Sequence, residues 1–164
     1  MVQESSAKVR VKAINQISLA VEDLQKSMED YWNILGIGPW DVYAYEAPMV
    51  HYYEYHGKPA YAKTKLGITR VGSVQLELVE HVDGDSIQRD FIREHGEGLH
   101  YLNFLVDDVD ETVAILAKEG FPSVQGGHFG DTGNYSDINI KLLHTVWEVV
   151  HKADNLGVVP KRYP

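Results

Sequence analysis

The chain has 164 residues, 44% hydrophobic and 24% charged, values that fit one globular domain with its own core and exclude a disordered or fibrous polymer. Lys and Arg number 15 against 24 Asp and Glu, a net charge of -9 with no basic cluster, which argues against nucleic acid or an anionic membrane as partner. There is no cysteine, so disulfides, thiolate metal ligands and a cysteine nucleophile are excluded.

The opening MVQESSAKVRVK lacks the apolar run of a secretion signal, and the expected location is the cytoplasm. Residues 14–36 read INQISLAVEDLQKSMEDYWNILG: a strand, an Asp turn, a helix and a glycine stop. Side chains alternate along a strand, so Ile17, Leu19 and Val21 share an apolar face and Gln16 and Ser18 lie opposite. Leu24, Met28, Tyr31, Trp32 and Leu35 recur at helical spacing and are expected in the core, between a cap at Asp23 and a stop at Gly36. Strands are expected over 40–45, 50–55 and 64–80, the last broken near Gly72; Val74, Leu76 and Leu78 share one face of it, Gln75, Glu77 and Val79 the other. A linking helix over 86–95 buries Ile87 and Phe91 and stops at Gly96.

Residues 99–120, LHYLNFLVDDVDETVAILAKEG, repeat the first unit: Val106 matches Val21 and Asp108 matches Asp23. His100, Leu102, Phe104 and Val106 then face the helix carrying Val109, Val113 and Leu116, while Tyr101 and Asn103 join the polar face. Strands over 123–128, 134–143 and 145–150 complete the second half, with Glu148 inside an otherwise apolar strand. The first ten residues and the tail 155–164 are expected to be peripheral.

Two βαβββ units, over 12–81 and 98–152, with polar inner faces carrying Gln16, Glu77, Tyr101 and Glu148, resemble the vicinal oxygen chelate superfamily of glyoxalases, methylmalonyl-CoA epimerases, bleomycin-resistance proteins and extradiol dioxygenases. The resemblance rests on INQISLAVEDL, on VQLELVEHVDGDS followed by HGEGLHYLNFLVDDVD, and on YSDINIKLLHTVWEVV. It implies an α+β fold in one domain, a cupped mixed sheet with helices packed outside, and a homodimer. It also implies up to one divalent metal at the four inward positions. There Glu77 and Glu148 match ligand positions and Gln16 stands where histidine is commonest, but epimerase-like members read GLHH where this chain reads Gly98, Leu99, His100, Tyr101. A metal set of Gln16, Glu77, His100 and Glu148 requires His100 to point inward, and that one-residue slip sends Leu102 and Phe104 into the polar cup.

With Tyr101 inward, Glu77 and Glu148 are two carboxyls in a partly dry cup, where like charge and desolvation raise at least one pKa and suit the pair to move a proton. Tyr101 and Gln16 are then the candidate oxyanion donors, worth roughly 3 kcal/mol each when preorganised. The expected function is an epimerase or racemase that exchanges a proton next to a carbonyl through an enolate. Tyr43, Tyr45 and Tyr53, from a cluster of tyrosines over 43–61, with Asn103 and His144, are candidate contacts to the small carbonyl substrate, and the aromatic wall points to a ketone of dihydroflavonoid type. The alternatives are a metal-dependent lyase like glyoxalase I or a methylmalonyl-CoA epimerase, and a non-catalytic resistance protein that sequesters a ligand. His51, His56 and His128 are further candidates for a proton relay, and Lys58, Lys63, Lys65 and Arg70 for meeting an acidic substrate group.

Overall fold

The computed structural model describes residues 7–164, apart from the side chain of Leu143. Of the ten N-terminal residues expected to be peripheral, 1–6 lie outside the described residues. The elements are β1 (Ala13–Val21), α1 (Leu24–Leu35), β2 (Trp40–Tyr45), β3 (Val50–Tyr55), β4 (Lys58–Pro59), β5 (Ala62–Val71), β6 (Val74–Gly84), α2 (Ile87–His95), β7 (Gly98–Leu105), α3 (Val109–Lys118), β8 (Ser123–Phe129), β9 (Gly133–Ile140), β10 (Thr145–His151) and β11 (Lys161–Tyr163). A single turn of 3-10 helix, Lys141–Leu143, separates β9 from β10. Among the described residues, no helix is long and apolar enough to cross a membrane.

The strands form one mixed sheet in the order β11-β2-β5-β6-β1-β7-β10-β9-β8-β3-β4. Around the centre the arrangement is symmetric. β1 lies parallel to β6 and β7 parallel to β10, and β1 and β7 pair antiparallel between them. This is the α+β, glyoxalase-like cup that the sequence predicts. The Asp23 carboxylate accepts from the Lys26 amide at 2.9 Å and Asp108 from the Glu111 amide at 2.8 Å, so both connections leave the strand through the same capped turn.

Each half has its own apolar core on the outer face of the sheet. Val21, Leu24, Met28, Trp40 and Leu78 fill one; Val106, Val109, Ile138, Ile140 and Val149 fill the other. Phe104 stacks on Trp147 with ring centroids 4.0 Å apart, which fixes Phe104 on the helix side of β7 and so its odd-numbered neighbours on the opposite side.

Four expectations are corrected. The strand 50–55 does not pair within the first half: β3 is added beyond β8, at the far end of the sheet from β2, so residues 46–49 and 60–61 carry the chain between the two halves. The tail is not peripheral, because β11 pairs with β2 and Tyr163 packs on the Trp40 cluster. The run 134–143 ends as a strand at Ile140, where the 3-10 turn begins. On α1, Leu24 and Met28 are buried and Tyr31 meets Trp40 edge-on, but Trp32 and Leu35 are 38% and 63% exposed, so the buried stripe of the helix is narrower than its apolar spacing predicts.

Candidate active site

The inner face of the sheet encloses a cavity of about 650 Å³. Alternation places its lining: Thr64, Leu66, Ile68 and Arg70 from β5, Gln75, Glu77 and Val79 from β6, Tyr101 and Asn103 from β7, Glu148 and Val150 from β10. Cross-strand register brings them together. Ser18 is opposite both Glu77 and Tyr101, and Asn103 is opposite Glu148. Gln16, Glu77, Tyr101 and Glu148 are thus held by four adjacent central strands and all line one cavity.

The two glutamates have unlike surroundings. Three donors converge on Glu77 Oε2: the Tyr101 hydroxyl at 2.6 Å, the Gln16 amide at 2.7 Å and the Ser18 hydroxyl at 2.9 Å. Burial raises the Glu77 pKa, and the Tyr101 and Ser18 hydrogen bonds oppose that rise by stabilising the charged form. Glu148 receives one side-chain bond, from the Asn103 amide at 2.5 Å. Burial, with the negative charges of Asp137 and Glu77, raises its pKa well above the carboxylate range, and the Asn103 bond opposes this less than fully. Unlike environments of this kind hold one carboxyl as a base and its neighbour as an acid.

Tyr101 and Gln16 are therefore engaged with Glu77 in the resting protein, rather than aimed at an open oxyanion position. The Gln16 amide oxygen in turn accepts from Gln75 at 2.5 Å, which fixes the amide nitrogen toward Glu77. Tyr43, Tyr45 and Tyr53 line the cavity with Asn103, and Tyr135 and Phe129 extend the same wall. Tyr53 is tied to the scaffold, its single hydroxyl proton shared between Gln125 Oε1 at 2.6 Å and the Asp85 carbonyl at 2.8 Å.

His144 is not part of this site. It sits after the 3-10 turn at φ 55°, breaking the alternation that would carry it inward, and faces a second depression on the helix side. His100 lines that same depression: it is buried against Phe91, with ring centroids 4.7 Å apart, and its Nδ1 has no partner among the described residues. His51 and His128 pack ring to ring, and His56 lies against Tyr55; none of them lines the cavity.

One buried acid escaped the sequence reading. Asp137 is fully buried, directly across the β9–β10 ladder from Glu148, and accepts from the Gln125 amide at 3.0 Å; burial and the Glu77 charge raise its pKa well above the usual range. Its signal was the alternation of Tyr135 and Asp137, which puts both on the face that Glu148 occupies. Asn15 and Lys152 at the cavity rim were missed as well.

The side chains do not fit a divalent metal. His100 points away, Glu77 Oε2 already accepts three hydrogen bonds, and the Gln16 oxygen faces Gln75. Among the described residues, no group of three or more His, Asp or Glu is disposed to hold an ion.

Residues 15–136 match the family model of the glyoxalase/bleomycin resistance protein/dioxygenase superfamily. A curated relative, the uncharacterized protein YqjC of Bacillus subtilis (strain 168), is 26% identical over 65% of this chain and 66% of its own, a little under two thirds of its length. Among solved structures, methylmalonyl-CoA epimerase from Mycobacterium tuberculosis superposes with a TM-score of 0.61 at 22% identity, covering 92% of this chain and 94% of that one. Streptomyces coelicolor methylmalonyl-CoA epimerase, in complex with 2-nitronate-propionyl-CoA, gives a TM-score of 0.59 at 20% identity over 90% and 99%. A hypothetical protein of Bacillus halodurans C-125 gives 0.60 at 16% identity over 87% and 96%.

Proposed function

The chain belongs to the glyoxalase/bleomycin resistance protein/dioxygenase superfamily, and from that premise we propose that it is an isomerase of the epimerase or racemase type, moving a proton at a carbon next to a carbonyl. The observation that carries this reading is the pair of buried glutamates in one cavity, Glu77 with three hydrogen-bond donors and Glu148 with one side-chain donor. Glu77 is the base. All three bonds fall on Oε2, leaving Oε1 to take the α-proton as the C–H electron pair moves to the carbonyl oxygen and forms an enolate. Once Glu77 is neutral its hold on the Tyr101 and Gln16 donors weakens, and these turn to the developing oxygen. Glu148, kept protonated, returns a proton to carbon and resets through solvent. Tyr43, Tyr45 and Tyr135 form a wall suited to a flat ring, and the volume falls within the roughly 300–1,000 Å³ typical of small-molecule sites, which supports a carbonyl substrate that carries an aromatic ring.

The test is solvent deuterium entering the carbon next to the carbonyl, followed by proton NMR across a panel of aromatic ketones. Incorporation with a bell-shaped pH dependence is expected. The rate rises with pH as Glu77 ionises and falls as Glu148 loses its proton, both at pH values above the ordinary carboxylate range. No exchange with any α-proton-bearing ketone that binds the cavity would remove the reading.

Replacing Tyr101 by phenylalanine (Tyr101→Phe) deletes one of the three donors to Glu77. The acid limb is expected to move up by about one pH unit and the maximal exchange rate to fall roughly tenfold. An unchanged profile would show that the phenol bears on neither the base nor the enolate.

A further inference from the structure

We propose that Arg70, Lys152 and Asn15, on one rim of the cup, form an anion subsite that holds a carboxylate or phosphate borne by the carbonyl substrate. The proposal rests on the proton-transfer reading of the same cavity and narrows its substrate to an anionic one.

The register assembles this rim. Arg70 is the last cup-facing residue of β5 and lies opposite Gln75, which lies opposite Gln16, the neighbour of Asn15. On the other side, Gln16 is opposite Asn103, and β10 runs out past Val150, opposite Leu105, to reach Lys152. Three segments distant in sequence thus end at the same edge of the cavity, and Arg70, Lys152 and Asn15 all line it.

Their charges are uncompensated. The Arg70 guanidinium donates to the Ser73 carbonyl at 3.1 Å and the Lys152 ammonium to Asn15 Oδ1 at 3.1 Å, both neutral acceptors. Among the described residues neither cation forms a salt bridge, whereas Arg162, which also lines the cavity, is paired with Asp41 at 3.2 Å. Asn15 Nδ2 is buried and, among the described residues, has no hydrogen-bond partner, a donor beside Lys152 left free to meet a ligand. Partial burial and the positive charge of Arg70 depress the Lys152 pKa, the sign expected of two cations sharing a site without an anion. On a chain of net charge -9, such a pair left open at the mouth of an acid-floored cavity selects one end of the ligand.

Spacing sets the size of that ligand. Gln75 is two residues outward from Glu77, roughly 7 Å along the strand, and Lys152 is four residues beyond Glu148, roughly 13 Å. The anion therefore sits several bonds from the reacting carbon. Two sources fit: a carboxylate on the substrate itself, or the phosphate of a carrier to which the acyl group is attached.

Two matched pairs of probes separate these sources: phenylbutanoate against its uncharged amide, and coenzyme A against uncharged pantetheine, each titrated calorimetrically into the full chain at low salt. At least one anion is expected to bind about tenfold tighter than its uncharged counterpart. That preference should vanish in the R70Q/K152Q double variant, survive in Arg70→Lys, and leave the affinity for the uncharged compound unchanged. A preference seen with phenylbutanoate assigns the carboxylate and one seen with coenzyme A the phosphate. No preference in either pair, or one that the double variant keeps, overturns the subsite. The titration reads binding alone, so an anion preference without deuterium exchange leaves the rim standing and removes the proton-transfer reading, and exchange without preference does the reverse.

Discussion

Substitution of Glu77 by glutamine (Glu77→Gln) is expected to lower the rate of α-proton exchange by roughly 10³-fold, the scale of a positioned general base. Glutamine keeps the shape and an oxygen able to accept from Tyr101, Gln16 and Ser18, but it has no basic lone pair for carbon acid chemistry. Folding should not suffer. Glu77 is 5% exposed and its charge is held there against a desolvation cost, so a neutral isostere removes that cost while keeping its neighbours satisfied. A variant as stable as the parent in thermal unfolding, with exchange reduced on this scale, separates a chemical role from a structural one. Full activity in Glu77→Gln would shift the base elsewhere.

The second large effect is on stability, and it falls on the residue that alternation excludes from the cup. His100 is 7% exposed, packed against Phe91, and burial together with the nearby His95 lowers its pKa from 6.5 to about 4. Below pH 6.5 the unfolded chain binds a proton at this position that the folded chain does not, so stability falls as the pH drops from 6.5 toward 4. The full effect is roughly 3 kcal/mol. Replacement by phenylalanine (His100→Phe) is expected to remove this part of the acid loss, read as the difference between parent and variant in urea unfolding at several pH values. The buried acids work in the opposite direction: Glu77, Glu148 and Asp137 have raised pKa values, so their ionisation costs stability as the pH rises above the ordinary carboxylate range. Parallel curves for parent and His100→Phe between pH 6.5 and 4 would mean that His100 takes up its proton inside the fold.

What was legible in the sequence was short-range. Alternation along β1, β6 and β7 follows from the backbone itself, so the opposite facing of His100 and Tyr101 could be read from Leu102, Phe104 and Val106 alone. Capping by Asp23 and Asp108 was legible for the same reason. Long-range pairing was not. The residues of β3 have ordinary strand propensity, and nothing in VHYYEY distinguishes pairing with β2 from crossing the cup to β8. The three residues of β11 carry no pattern, although their pairing with β2 extends the sheet beside Trp40. His144 lies between the strands expected over 134–143 and 145–150, so alternation does not orient it; the left-handed backbone after Lys141–Leu143 sends it to the helix side. Asp137 was overlooked because a single acid in YSDINI reads as an exposed strand position until its neighbour across the ladder is known.

Proton transfer in this cavity requires the two glutamates to rest in different protonation states. Carbon-13 NMR of side-chain carboxyls, with signals assigned by their loss in Glu77→Gln and Glu148→Gln, reports this at neutral pH in the unliganded protein. The expected result is a carboxylate shift for Glu77 and a carboxylic acid shift for Glu148. Carboxylate shifts for both residues from mildly acidic to mildly alkaline pH would contradict it.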